Sequence, residues 1–596
     1  MAANYWASTQ QNHWIQDRWA LATSREEDLK YLSEADYVKL RIWFCHLIQK
    51  LAKRLQLRQQ VIATANVYFK RFYINNSLRS TDPLLVLVTC VYLATKIEEC
   101  PVHIKMFGGT SVGKFLDNIA NDVIKEYVKQ HKVVVVCSAR SGESKATGTT
   151  NRLIRAANDA IKPGSKEYLN IVQDILDDHL AVAAEMIRDD AIRNHLEQDI
   201  RNDCEKLKSF LEAAEIIDEI SPRSKDVIIG VGEKLSCRIV AAVLQDRDVD
   251  AQFVSLENII DRDFERLDQS FYDYLAQRMA DAVKQCENRV PVVTGFFGIV
   301  PGSLLTTVGR GYTDLCAALT AVGLGAEELQ IWKEVDGIFT ADPRKVKSAR
   351  LLPIITPEEA SELTYYGSEV IHPFTMEQVI RARIPIRIKN VENPRGEGTI
   401  IFPTDNANSR DGTHTPQSPQ VLAENGYSID LSRKYPTAVT IKDHVIVLNI
   451  HSNRKSVSHG FFAKIFSTLD RYGVIVDLIS TSEVHVSMAL GEENLDKDLD
   501  RVIKDLREFG RVDVIKDLAI LSLVGKQMKN LVGIAGMMFS TLASAGVNIE
   551  MISQGSSEIN ISCVIDERSA VTAMNVIHDQ LLSKHSKLVL SSLELK

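Results

Sequence analysis

The periodicity of the chain changes once, near residue 105, and no single fold accommodates both sides of the change. No glycine precedes Gly108, and between residues 14 and 99 apolar side chains recur at helical spacing. Tyr37, Val38, Leu40, Trp43, Phe44, Leu47, Ile48 and Leu51 predict one amphipathic helix. Val61, Ile62, Ala65, Val67, Tyr68, Phe69, Phe72 and Tyr73 predict a second, and Leu84, Leu85, Leu87, Val88, Val91, Tyr92 and Leu93 a third. Asp82-Pro83 supplies the cap and first-turn proline of that third helix. The seam reads Lys105-Met106-Phe107-Gly108-Gly109-Thr110-Ser111-Val112-Gly113. Its small residues let backbone N–H groups approach an anion, and its hydroxyls add donors.

Beyond the seam, short apolar runs alternate with long helical stretches. Val133 to Val136, Asp226 to Ile229, Pro291 to Thr294 and Ile384 to Ile388 read as buried parallel strands, with helix predicted over 174–217. The expected core is an α/β domain with a mostly parallel sheet, whose ligands belong at the loops after strand C-termini. With 596 residues the chain is too long for one core, and roughly three to five domains of about 100–200 residues are expected.

Composition excludes several function classes. A formal net charge of -8 gives no nucleic-acid-binding signal. Nine cysteines without a C-x-x-C pair fit reduced thiols and a cytoplasmic protein better than disulfides or a metal site. No apolar run approaches the roughly 18 residues of a membrane span, so no membrane role is expected.

Several loops of the α/β region carry suitable chemistry. Gly108 to Lys114 nearly fits G-x-x-x-x-G-K-[ST], but Phe115 stands where a hydroxyl should reach magnesium. Cys137 to Gly142 follows a strand and offers a guanidinium, and Gly230 to Ser236 reads as a glycine-rich turn carrying Glu233. Thr306 to Asp314 opens a helix, a ready anion site, with Arg310 and Asp314 four residues apart. The segment from Trp332 to Arg344 is dense in charge and turn residues. Singly, each is only a turn or a surface ion pair. Together they suit phosphoryl transfer, which works by positioning and charge neutralisation.

These motifs resemble those of aspartate kinases of the fungal type, in the amino-acid kinase superfamily, from Phe107 to about Ile401 and on into the C-terminal region. The resemblance implies an αβα sandwich that phosphorylates the β-carboxylate of L-aspartate with ATP and Mg2+. Gly108, Gly109, Thr110 and Ser111 would line the transferring phosphoryl group, and Thr150, Glu233, Arg310 and Asp314 would hold aspartate. Arg310 and Asp314 would also serve catalysis, and Glu334, Phe339 and Arg344 would contact ATP. Lys333 and Glu334 replace the bacterial Thr-Asp, and Glu369 a bacterial lysine. The family lysine stands directly before the phenylalanine, where this chain has Met106. A one-residue shift reverses the face of a strand side chain, so Lys105 is expected to point away from the phosphates. Reduced activity follows from that expectation, since oriented charge is a large catalytic term.

Upstream, Leu57 to Ala65, Tyr68 to Tyr73 and Leu93 to Glu99 resemble the start of a cyclin box of the cyclin C type. By that resemblance Lys96, Glu98 and Glu99 would face a partner kinase. The resemblance ends near His103, too early for a complete box, so binding of a cyclin-dependent kinase is not expected. Both halves are cut inside folded elements, as when two neighbouring genes are joined in one coding sequence.

Residues 403–436 are rich in Asn, Ser, Asp, Thr and Pro and read as a flexible linker. Beyond them Gly473 to Ser480 repeats as Gly546 to Ser553, each copy following a helix and preceding an alternating strand. The order gives two ferredoxin-like units, resembling the ACT domains that regulate aspartate kinases. The implied inhibitor is threonine, with contacts at Asn449, Ser456, Asp477, Ser480, Thr481, Ser482, Gln554 and Asn560. ACT pairing implies a homodimer or larger assembly. The expected domains are 1–104, 105–402, the 403–436 linker, 437–511 and 512–596. A cyclin-like kinase-binding protein and a catalytically silent amino-acid sensor are the alternatives.

Overall fold

The computed structural model describes residues 25–54, 59–97, 102–142, 147–262, 264, 266–300, 303–365, 371, 373–401, 436–452, 460–482, 485–491, 499–526, 528, 531–554 and 559–582. Residues 403–435 of the predicted linker, with Ser456, Glu98, Glu99 and Glu369, lie outside them, as do the side chains of Lys96 and Arg310.

The N-terminal segment forms helices α1 (Glu34–Arg54), α2 (Gln59–Asn75) and α3 (Pro83–Ile97). Asp82 caps α3 as its sequence predicts, Oδ1 accepting from the Leu84 amide at 2.9 Å. Phe44, Ile48, Ala65, Phe69, Leu87 and Val91 pack into one small core. Leu84, Leu85, Val88 and Tyr92 stay exposed on α3, and Ile42 and Trp43 on α1.

The catalytic sheet has eight strands: β1 (Val102–Phe107), β2 (Lys132–Cys137), β3 (Ala251–Val254), β4 (Val290–Thr294), β5 (Glu328–Lys333), β6 (Ile354–Ile355), β7 (Ile386–Asn390) and β8 (Thr399–Ile401). Their order is β3-β4-β2-β1-β5-β7-β8-β6. The β3–β4, β2–β4, β5–β7 and β6–β8 pairs are parallel, and the β7–β8 pair, near one edge, is antiparallel. Buried valines and isoleucines fill both faces, as a parallel sheet covered by helices requires.

One strand expected from the sequence is a helix. Asp226 to Ile229 lies inside α7 (Pro222–Asp246), and so does the supposed turn Gly230 to Ser236. Ser221 caps this helix, accepting from Ser224 N, with proline in the first turn. A short apolar run fits a buried helix as well as a strand, and these caps decide between them. Its glycines serve close packing: a Cβ on Gly230 would lie 2.6 Å from the Phe296 ring. The helical stretch 174–217 is likewise two helices, α5 (Glu167–Met186) and α6 (Asp190–Ile217), parted where Asp189 caps the second. Helix α4 (Thr149–Ala160) precedes them, and α9 (Tyr312–Leu324) follows β4.

The C-terminal region is one six-stranded sheet of order β10-β11-β9-β12-β14-β13. It comprises β9 (Ala438–Ser452), β10 (Leu478–Thr481), β11 (His485–Gly491), β12 (Gly510–Val524), β13 (Met551–Ser553) and β14 (Asn560–Asp566). Helices Phe461–Arg471, Leu499–Leu506, Ile534–Ser544 and Ala570–Ile577 complete two strand–helix–strand–strand–helix repeats. The two repeats join through β9 and β12, which pair antiparallel nearly end to end.

Candidate active site

The end of β1 turns at Gly108 into the short helix Gly109–Lys114, and the turn is held from two sides. Gly108 N donates to the Trp332 carbonyl at 3.4 Å, and Ser141 N to the Gly109 carbonyl at 2.9 Å. Ser111 Oγ donates to Glu334 Oε1 at 2.7 Å. A side chain does not fit here. A Cβ on Gly109 would meet the Ala139 carbonyl oxygen at 2.3 Å, and one on Gly113 the Ser141 oxygen at 1.7 Å.

A cavity of about 1270 Å³ opens above this turn. Gly108, Gly109, Thr110, Thr150, Asp314, Glu334, Phe339 and Arg344 all line it, so most of the residues singled out in the sequence come together. Ser111 sits just behind the wall, fully buried. The backbone of Arg310 lies in the one-turn helix Gly309–Gly311, directly before the N-terminus of α9.

Glu233 does not line the cavity. It is 1% exposed within α7, and Thr313 Oγ1 donates to its Oε1 at 2.9 Å. Burial pushes its carboxyl up to about 8, against the opposing pull of the Thr313 hydroxyl. Thr313 itself faces the cavity, so Glu233 stands one side chain behind it.

The two faces of the β1–β5 pair differ sharply. Lys105, Phe107, Gln330 and Trp332 share one face. Lys105 is fully buried there, its Nζ donating to Gln330 Oε1, and Phe107 stacks on Trp332 at 6.0 Å. Burial holds the Lys105 ammonium well below the usual lysine range. Met106 and Lys333 share the opposite face and line the cavity. Lys333 Nζ lies 3.9 Å from Asp314 Oδ2. Lys333 and Asp336 belong to the charge-dense segment from Trp332 to Arg344 but received no role there, since β5 ends at Lys333 and its strand went unread.

The C-terminal region reaches the same cavity through Val439, Ile441, Asp443 and Met574. Lys345 Nζ pairs with Asp443 Oδ2 at 2.6 Å. His578 Nε2 lies 2.9 Å from Thr340 Oγ1, and Val439 N donates to the Thr340 carbonyl at 2.9 Å. Glu359, fully buried on α10 (Pro357–Tyr365), accepts from Lys526 N at 3.0 Å and from Thr437 Oγ1.

Of the residues proposed for the regulatory site, Ser480, Thr481 and Gln554 are exposed at or beside the edge strands β10 and β13. Ser482 follows β10, and its amide donates to His485 O at 2.8 Å. Asn449 Oδ1 accepts from Ser487 Oγ at 2.6 Å on the neighbouring strand. Asp477 is engaged with Lys442 at 2.6 Å, and Asn560 donates to Glu362 on α10.

A mostly parallel sheet with a glycine turn at its first strand and a helix N-terminus facing the same cleft makes an α/β fold with an anion-binding cleft. The amino acid kinase family signature matches residues 103–390, and an ACT domain signature matches 521–581. The cyclin N-terminal domain signature matches 18–122, overlapping the kinase match across the seam. The aspartokinase of Schizosaccharomyces pombe is 57% identical over 495 residues, 82% of this chain and 95% of that protein. The Saccharomyces cerevisiae aspartokinase is 52% identical over 495 residues, 81% of this chain and 93% of that one. Escherichia coli aspartokinase III in complex with aspartate and ADP superposes with a TM-score of 0.61 at 27% identity, covering 80% of this chain and 99% of that one. The chain belongs to the aspartokinase family, with a cyclin-like segment at its N-terminus.

Proposed function

We propose that this chain transfers the γ-phosphoryl group of ATP to the β-carboxylate of L-aspartate, giving 4-phospho-L-aspartate. The observation that carries the reading is the convergence of the Gly108–Thr110 turn, Asp314 and Glu334 on one cavity. Amides of the turn would receive the phosphoryl oxygens. Thr150 and Arg310 would hold the carboxylates of aspartate and Asp314 its ammonium, with Glu233 acting through Thr313. Phe339 and Arg344 would meet the nucleotide. Glu334 and Asp336 line the same cavity and offer hard oxygens to Mg2+ carried in on the nucleotide phosphates, where the ion would neutralise charge; among the described residues no cluster of three or more such groups forms a metal site of its own.

In this reading the enzyme serves threonine and methionine synthesis, extending to lysine in some organisms, and acts in the cytoplasm. Threonine binds between the ACT repeats near Ser480 and Gln554 and inhibits, and ACT pairing assembles a homo-oligomer. Among the described residues no helix is long and apolar enough to cross a membrane. The test is hydroxamate formation from aspartate and ATP by the purified full chain, with and without threonine. Absence of product from both the natural chain and Met106→Lys would refute the reading, and product insensitive to threonine would remove the regulatory part alone.

A further inference from the structure

The cavity needs a cation where phosphate charge is transferred, and the geometry points to Lys333 as that catalytic residue. We infer that its ammonium neutralises the phosphoryl group in flight, an inference that rests on the aspartate-phosphorylating reading above.

The argument begins with position. Trp332 and Glu334, the residues on either side of Lys333, both bind the glycine turn, one through Gly108 N and the other through Ser111 Oγ. Lys333 is thereby fixed beside that turn by its own backbone. Strand alternation then sends its side chain to the face opposite Trp332, which is the cavity face. On that face its neighbour in register on β7 is Asn390, which also lines the cavity.

Charge supports the same assignment. Among the other cavity-lining cations, Arg344 is held by Asp342 at 2.9 Å and Lys345 by Asp443 at 2.6 Å, while Arg140 stands on the loop after β2. Lys105, the nearest lysine in sequence to the turn, is buried on the reverse face against Gln330. Lys333 sits 24% exposed on the cavity face of β5, its Nζ 3.9 Å from Asp314. An incoming substrate ammonium at Asp314 competes with Lys333 for that carboxylate and frees it to turn toward phosphate.

The chemistry balances without a proton change at Lys333. A β-carboxylate oxygen of aspartate forms the new bond to the γ-phosphorus, the bond from that phosphorus to its bridging oxygen breaks, and ADP leaves with the electron pair. The ammonium donates hydrogen bonds to the oxygens that carry the developing charge and keeps all its protons.

The test compares the full-length natural chain with Lys333→Met, Lys333→Arg, Met106→Lys and the Met106→Lys/Lys333→Met double variant. Lys333→Met should lower kcat by about 100-fold or more, with an unchanged unfolding temperature and a smaller change in KM for aspartate. Lys333→Arg should retain activity within about 10-fold. Because Met106 faces the same cavity, Met106→Lys should restore about 10-fold or more to Lys333→Met. The inference is overturned if Lys333→Met keeps kcat, if the double variant shows no rescue, or if the natural chain is silent while Met106→Lys is active. Silence of every variant, Met106→Lys included, overturns instead the reading of the chain as an aspartate-phosphorylating enzyme.

Discussion

Thr313 Oγ1 donates to Glu233 Oε1 at 2.9 Å, joining the first turn of α9 to the middle of α7 directly behind the cavity wall. The pair makes the fold sensitive to pH. Glu233 has its carboxyl raised from 4.5 to about 8, chiefly by burial. Below the unfolded value both states hold the proton and the full stability is present. As pH rises from about 4.5 to about 8 the unfolded chain releases the proton first, so stability falls by at most about 1.4 kcal/mol per unit. Glu233→Gln should flatten that dependence. Denaturant titrations across this range check it, and parallel slopes for the two proteins would contradict the assignment.

Lys105→Met should raise stability. It replaces an ammonium buried on the reverse face of β1 with an apolar chain of similar length, while Gln330 Oε1 keeps the Trp332 indole at 3.1 Å. An increase of about 1 kcal/mol or more in unfolding free energy is expected, with kcat within about 3-fold of the natural chain. A large loss of activity would place Lys105 in the chemistry, against its observed direction.

Gly113→Ala should be among the most damaging single changes. The new methyl would sit 1.7 Å from a backbone oxygen of Ser141, which no rotamer can relieve. Either the turn opens or the loop after β2 withdraws, at a cost of about 3 kcal/mol or more. Thermal unfolding and nucleotide affinity should fall together.

Glu359→Ala should loosen the attachment of the C-terminal sheet. It strips acceptors from Lys526 N, Thr437 Oγ1 and Thr356 N in a fully buried site. A loss of about 3 kcal/mol is expected from the unsatisfied donors, and Glu359→Gln should recover part of it. Hydrogen exchange at Lys526 and Thr437 should accelerate first if the joint opens locally.

Much of this architecture was legible in the chain. The helices of the N-terminal segment, strands β1, β2, β4 and β7, and the two C-terminal repeats follow from apolar spacing and caps. The glycine turn and Asp314 came from motif chemistry, Glu334, Phe339 and Arg344 from the family resemblance, and all of them line one cavity. What failed did so for local reasons. The run at Asp226 to Ile229 was taken for a strand because four apolar-rich residues carry no period, whereas the Ser221 cap decided the helix. That error carried Glu233 to a loop at the cavity rim, when helix α7 buries it beneath. Strand β5 went unseen because Glu328, Gln330 and Lys333 interrupt its apolar residues, and the contacts of Thr340, Lys345 and Glu359 with the C-terminal sheet join residues far apart in sequence.

Strand β9 spans 15 residues and carries one irregularity, near His444, where φ is +57° and the register to β12 shifts. At its start, Val439 is bonded to Thr340 beside the nucleotide-facing wall; toward its end, Asn449 lies across from Ser487 in the first repeat. β12 pairs with it on both sides of that bulge but β11 only from Val445 onward, so it is two arms meeting at a joint. A twist imposed near Asn449 meets that joint before it reaches Thr340.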